Sequence, residues 1–279
     1  MTDGLDQNAD QQARLTRLVV GSPSDLDRHL SPPDVWRPQI GRHQEILPWL
    51  ATFANRQGVR VLEIGSRSVV TDGECKKHLP HCNHTGLDII EGPGVDVVGD
   101  AHRLSELFPC DSFDIIYSSA VFEHLAMPWL VAEEIAKVLR VGGYVCIETH
   151  FSYAAHEMPW HFMQFSHKGL EILFNPALGF KVIDSGLDTP MVGRFANDAA
   201  EHLKGQPIGC LYCHSSIIAQ KQLSVLARSQ SFDWRSSLAA ALQGSMYPAP
   251  TSFFGSGDGK DGESVASMSA EHPQAEPSP

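Results

Sequence analysis

Val59-Arg60-Val61-Leu62-Glu63-Ile64-Gly65-Ser66 is the stretch whose reading decides the fold. Val59, Val61, Leu62 and Ile64 are apolar and mostly β-branched, which suits a strand covered on both faces. Gly65 closes the run where the backbone can turn sharply and approach a ligand. Glu63 lies near the carboxyl end of this strand, and in open α/β sheets ligands bind in the crevice outside such ends. A strand ending in acid-x-Gly is common in buried sheets, so its neighbours carry the argument.

Before it, residues 42–57 repeat Ile46, Leu47, Leu50, Phe53 and Ala54 at helical spacing, and Gly58 supplies a stop. Residues 34–42, with Trp36 and Pro38, read as a packed arm. After it, residues 67–83 are polar with room for a short helix, and a second strand runs from His84 to Asp88. Glu91-Gly92-Pro93-Gly94 reads as a turn. A third strand, Val95 to Val98, leads into Gly99-Asp100-Ala101, and the connection from strand two to strand three is too short for a full crossover helix. A brief helix falls within 103–108, Asp111-Ser112 is a turn, and Phe113 to Ser118 is a fourth strand. Pro128 opens a helix with Leu130, Val131, Ile135, Val138 and Leu139 on its apolar face, closed by Arg140 and Gly142-Gly143. Tyr144 to Glu148 is a fifth strand, 166–174 a helix and Phe180 to Ser185 a sixth strand. Residues 186–207 read as a polar, partly helical insertion, Ile208 to Gln220 as a seventh strand and 232–243 as a last helix.

Strands alternating with helices imply a largely parallel sheet with helices on both faces. Residues 1–33 are expected to be a flexible N-terminal segment and 34–243 the folded domain. The Pro-, Ser- and Gly-rich tail, 244–279, is expected to be disordered.

The chain has 279 residues, enough for one large domain or two small ones, and 42% of them are hydrophobic, enough for a packed core. Its net charge is −12 and its longest basic run is Lys76-Lys77. Tracking a phosphate backbone needs a basic footprint, so no nucleic-acid partner is expected. No apolar run approaches a membrane span and no secretory signal opens the chain, which predicts a cytoplasmic protein with reduced cysteines and no membrane partner.

Glu63, Asp88 and Asp100 thus follow three successive strands. A nucleoside laid across the crevice needs this set: a carboxylate after strand two for the ribose hydroxyls, and an acid after strand three for a purine amino group. At this point the chain resembles the class I S-adenosylmethionine-dependent methyltransferases. The resemblance rests on Val61-Leu62-Glu63-Ile64-Gly65, Gly86-Leu87-Asp88, Gly99-Asp100-Ala101, Ser112-Phe113-Asp114-Ile115-Ile116, Val121-Phe122-Glu123-His124-Leu125 and Leu139-Arg140-Val141-Gly142-Gly143-Tyr144, over roughly residues 40–220. It implies a Rossmann-like, seven-stranded, mostly parallel sheet with its last strand antiparallel. It implies S-adenosyl-L-methionine as cofactor, with Glu63 and Gly65 along the methionine portion, Asp88 at the ribose, Asp100 with Ala101 at the adenine, residues 118–124 facing the methyl group and substrate, and Ser66, Ile89 and Ser119 also among the cofactor-binding residues. Ser66-Arg67-Ser68 stand where the family carries further glycines, and the helix between strands two and three is missing.

Methyl transfer from a sulfonium needs in-line positioning and, for some acceptors, a base. His124, after strand four, and His161, in Met158-Pro159-Trp160-His161-Phe162, are the candidate catalytic bases. Cys210-Leu211-Tyr212-Cys213-His214 matches a haem-attachment pattern but falls in the last strand, so haem is not expected. Cys75, His78, His81, Cys82 and His84 fit no standard zinc spacing and are expected as solvated loop residues with no metal. The expected function is methylation of a small molecule, a saccharide or secondary metabolite. The alternatives are a non-catalytic binding or scaffold protein of the same fold, and a methyltransferase acting on protein or RNA. Oligomeric state is not legible in the sequence.

Overall fold

A computed structural model describes residues 37–68, 74–191, 193–209, 211–223 and 234–235. The expected N-terminal segment (1–33), the C-terminal tail (244–279) and nearly all of the helix expected at 232–243 lie outside the described residues. The elements in chain order are α1 (Ile46–Ala54), β1 (Arg60–Ile64), α2 (Glu74–His78), β2 (Asn83–Asp88), β3 (Val97–Val98), α3 (Leu104–Leu107), β4 (Phe113–Ser119), α4 (Pro128–Val138), β5 (Leu139–His150), α5 (His167–Leu173), β6 (Phe180–Pro190), β7 (Gly193–Arg194), β8 (Pro207–Ile208) and β9 (Tyr212–Lys221).

Seven strands form one sheet in the order β3-β2-β1-β4-β5-β9-β6, as the resemblance implied. β1 to β5 run parallel, and β9 runs antiparallel between β5 and β6. The order reverses between β1 and β4, which is the topological switch where ligands bind in such sheets. Alternation along the strands sorts the core into two layers. Leu62, Ile64, Ile116, Val145, Ile147 and Ile217 face one way, against Val131 and Ile135 of α4 and Leu170 of α5. Val61, Ile115, Tyr117, Cys146 and Ile218 face the other way, against Ile46, Leu47 and Leu50 of α1. Among the described residues no helix is long and apolar enough to cross a membrane.

Several boundaries differ from the sequence expectation for identifiable reasons. α1 begins at Ile46, not residue 42. The backbone N–H groups of Ile40 and Gly41 donate to Asp184, and that of His43 to Asp188, so this arm is tied to β6 and not wound into the helix. α4 stops at Val138, and the chain is extended from Leu139 through a bulge opposite β4, with Gly142 at φ +81°. β6 continues to Pro190 because β9 offers it partners as far as Tyr212. The insertion expected to be partly helical is instead the end of β6 followed by the β7–β8 hairpin, so Ile208 belongs to the hairpin and not to the last strand. Cys75, expected in a solvated loop, is fully buried in α2, and the His84 side chain is only 4% exposed on β2.

The turn after β1 is held against the end of β2. Gly65 N and Ser66 N both donate to Leu87 O, at 2.8 and 3.1 Å. Ser68 N donates to Pro93 O at 2.9 Å. Gly86 sits under this junction, where an added Cβ would lie 2.1 Å from Gly94 O and 2.6 Å from Ser66 Oγ. Gly86→Ala is therefore expected to cost about 1–3 kcal/mol by forcing the two loops apart. Gly209→Ala, with nothing within 4 Å of the new methyl group, should stay within about 0.5 kcal/mol of wild type. Urea denaturation midpoints of the two variants test the contrast.

Candidate functional site

The carboxyl rim of the parallel strands gathers most of the expected site residues. Asp88 ends β2, Asp100 and Ala101 follow β3, Ser119 ends β4, and His124 lies in the short turn after it. Because β9 is antiparallel, its first residues reach the same rim, and His214 pairs with His150 at the end of β5.

The acids are already engaged by the chain's own donors. Asp88 accepts from Arg67 N (3.3 Å) and Ile90 N (2.9 Å), and the Arg67 Nε lies 3.7 Å from its Oδ1. The Arg67 side chain passes over Gly92, whose missing Cβ would lie 2.9 Å from the Arg67 Cγ. Asp100 accepts from His102 N and Nδ1, at 2.9 and 2.6 Å. Burial pushes its carboxyl upward, but those two hydrogen bonds outweigh it and hold the group below the ordinary carboxylate range. Glu63 turns its carboxylate to the buried His84, 2.7 Å away. Ligand atoms of Glu63, Cys75 and His84 lie within 4.8 Å of one another, and burial pushes the Cys75 thiol far up. Gly65 has φ +82°, and a Cβ there would meet Val121 Cγ2 at 2.1 Å, so Val121 fills the space over the switch point. Ile89, beside Asp88, leaves 67% of its surface exposed, a flat apolar face at the rim.

Across the rim lies a cluster of imidazoles and carboxylates. Glu123 is fully buried, accepts from Thr149 Oγ1 at 2.6 Å and has His150 Nδ1 2.7 Å from its Oε1. Burial raises its carboxyl, but these partners outweigh that and lower it. His124 Nδ1 lies 3.0 Å from Trp160 O, and its Nε2 lies 3.2 Å from His156 Nε2. His161 packs beside both rings, at centroid distances of 4.6 Å to His156 and 5.7 Å to His124. Burial and the neighbouring imidazoles His156 and His124 lower its pKa. Ser119 Oγ donates to Glu148 Oε1, which also contacts His43 Nδ1 at 2.8 Å. The His43 ring stacks on His214 at 4.0 Å.

The structure brings His124 and His161 together and adds His43, Glu123, Glu148, His150, His156 and His214. Sequence reasoning named none of these as catalytic or binding residues. The signal was present for three of them: Glu148 and His150 close a strand on the rim side, and His214 opens an antiparallel strand that starts there. His43 carried no such signal, since its position depends on the arm bound to Asp188. Cys213 is buried in β9, and Cys210 lies outside the described residues.

The hydrogen bond to Glu148 raises the pKa of His43 against the opposing effect of burial. A raised imidazole adds stability that is fully present below its unfolded value of about 6.5 and is lost as pH climbs through the folded value. The stability difference between wild type and Glu148→Gln is therefore expected to shrink as pH rises above about 6.5. Denaturant titrations across that range measure it.

Residues 62–147 match the family model described as a methyltransferase domain. Among curated proteins none matches this chain. Solved structures similar to it include the YcgJ protein from Bacillus subtilis (19% identity, 65% of this chain and 100% of that one, TM-score 0.46). A SAM dependent methyltransferase from Archaeoglobus fulgidus shares 19% identity over 63% of this chain and 93% of that one, with a TM-score of 0.44. The 1,6-didemethyltoxoflavin-N1-methyltransferase of Burkholderia thailandensis, with 1,6-didemethyltoxoflavin and S-adenosylhomocysteine bound, shares 16% over 64% and 78%, with a TM-score of 0.47. The matched residues 62–147 span β1 to β5 of a sheet whose strand order is the one that the resemblance to class I methyltransferases implied.

Proposed function

We propose that the protein transfers a methyl group from S-adenosylmethionine to a small-molecule acceptor. The observation that supports this most is Asp88 at the end of β2 with the exposed Ile89 beside it and Asp100 after β3. In this reading Asp88 takes the ribose hydroxyls, Ile89 lies against the purine, and Asp100 with Ala101 receives the adenine edge. These residues fit a nucleoside once Arg67 moves off Asp88. Gly65, Ser66 and Ser119 border the methionine end, and Glu63 acts there through its hydrogen bond with His84.

S-adenosylmethionine supplies an electrophilic methyl group on sulfur, so the protein's task is to orient the acceptor, exclude water and take up a proton. His124 and His161 are the proposed proton acceptors. Burial and the neighbouring imidazoles lower the pKa of His161, which favours the neutral ring, the form that can accept a proton. The exposed rings of Tyr153, Trp160 and Phe162 supply flat faces for a secondary metabolite or saccharide. The net charge of −12 speaks against an RNA acceptor, and the reading keeps the cytoplasmic setting expected from the sequence. A second reading, ligand binding without turnover, is favoured by Val121 over Gly65 and by Arg67 seated on Asp88.

Calorimetric titration with S-adenosylhomocysteine tests the first reading. Wild type should bind, and Asp88→Ala should weaken binding about 10- to 100-fold, the loss of hydrogen bonds to a charged group worth roughly 1.5–3 kcal/mol. Arg67→Ala should tighten it. No binding by either wild type or Arg67→Ala overturns the reading. Transfer of label from S-adenosylmethionine to any component of a metabolite extract excludes the second reading. With an acceptor in hand, His161→Asn is expected to lower kcat about 10²- to 10⁴-fold while leaving S-adenosylhomocysteine affinity unchanged.

A further inference from the structure

We propose that His124 and His156 hold a divalent transition-metal cation of the zinc class between the end of β4 and the segment that follows β5. The argument rests on where the ring protons must be. His124 Nδ1 lies 3.0 Å from the carbonyl oxygen of Trp160, and His156 Nδ1 lies 3.0 Å from that of Ala154. A carbonyl oxygen only accepts, so both Nδ1 atoms carry the proton. In the neutral rings both Nε2 atoms then present lone pairs. Those two atoms face each other at 3.2 Å. Two lone pairs cannot form a hydrogen bond, so a positive charge belongs between them.

The spacing and surroundings suit a metal ion. Two nitrogens bound tetrahedrally to zinc at about 2.0–2.1 Å stand about 3.3 Å apart. Ring N–H groups fixed on backbone carbonyls are the outer contacts that metal-bound imidazoles make. Glu157 Oε2 lies 3.8 Å from His124 Nε2 on an exposed side chain. It completes three protein ligands and leaves the fourth position for water or an acceptor oxygen. Behind the pair, ligand atoms of Glu123, His150 and His156 gather within 4.8 Å. His161 Nε2 is buried there without a hydrogen-bond partner.

A cation at this position binds an acceptor hydroxyl and lowers its pKa, so that His124 acts through the metal and His161 is the remaining base. That role rests on the methyl-transfer reading above; the metal site itself does not. The test uses the full, untagged chain stripped of metal and titrated with cobalt(II) and zinc(II). Expected are a single tight equivalent with tetrahedral cobalt absorption and a loss of affinity of about tenfold or more in both His124→Ala and His156→Ala. His202→Ala, on an exposed turn, should bind as wild type does. Circular dichroism confirms that the variants are folded, and ring ¹⁵N shifts of His124 and His156 on adding zinc report ligation directly in wild type. No cobalt absorption and no zinc-dependent shift would mean a shared proton alone and overturn the proposal. Metal binding that both variants retain places the ion elsewhere and overturns it too. S-adenosylhomocysteine affinity, measured separately without metal, keeps a failure here distinct from a failure of the nucleoside site.

Discussion

The antiparallel insertion of β9 between β5 and β6 is the constraint on which the rest depends. A strand running against its neighbours puts its first residues where theirs end. Seven consecutive register pairs, from Tyr144 with Gln220 to His150 with His214, hold β9 at that level. The other end is anchored by Lys221, whose buried ammonium reaches Asp111 at 2.9 Å and also the Leu139 carbonyl. A slip of one residue would turn Ile217 and Ala219 out of one core layer and Ile218 out of the other, so the register is specified by packing on both faces. With that register His214 stands against His43, and the rim acquires a charged cluster on the side away from Asp88.

Both halves of the rim answer the problem of buried charge with partners inside the chain. On the Asp88 side each of the three strand-end carboxylates has found a donor within the chain: Arg67 for Asp88, His102 for Asp100, His84 for Glu63. An ionised carboxylate left without partners at a half-buried edge costs several kcal/mol, so such partners are expected before any ligand arrives. On the other side imidazoles are again the partners, but there they also pack against one another. Glu148 and Glu123 each hold one ring closely. The remaining rings face one another, and that leaves an unbalanced arrangement at His124 and His156.

The sheet was legible because its signals are local. Val61, Leu62 and Ile64 announce a buried strand, Asp88 and Asp100 mark successive strand ends, and the short link from β2 to β3 was visible by counting residues. Boundaries failed where a distant partner decides them. Nothing within residues 42–45 says that Asp184 and Asp188 will claim the backbone groups beside them, and nothing within 186–190 says that β9 will extend alongside. The candidate site divides in the same way. His124 and His161 were readable from their place after a strand, whereas His43 and His214 became neighbours only through an arm and an antiparallel strand. The burial of Cys75 and His84 was hidden by a polar local sequence whose short helix packs beneath β1.

The Arg67 clasp on Asp88 has an unusual ionic consequence. Salt screens attraction between a guanidinium and a carboxylate that are both partly open to water. A ligand that must first displace this arginine therefore meets less opposition as ionic strength rises. Its affinity should climb with added sodium chloride, the reverse of what a charge-steered nucleotide pocket displays.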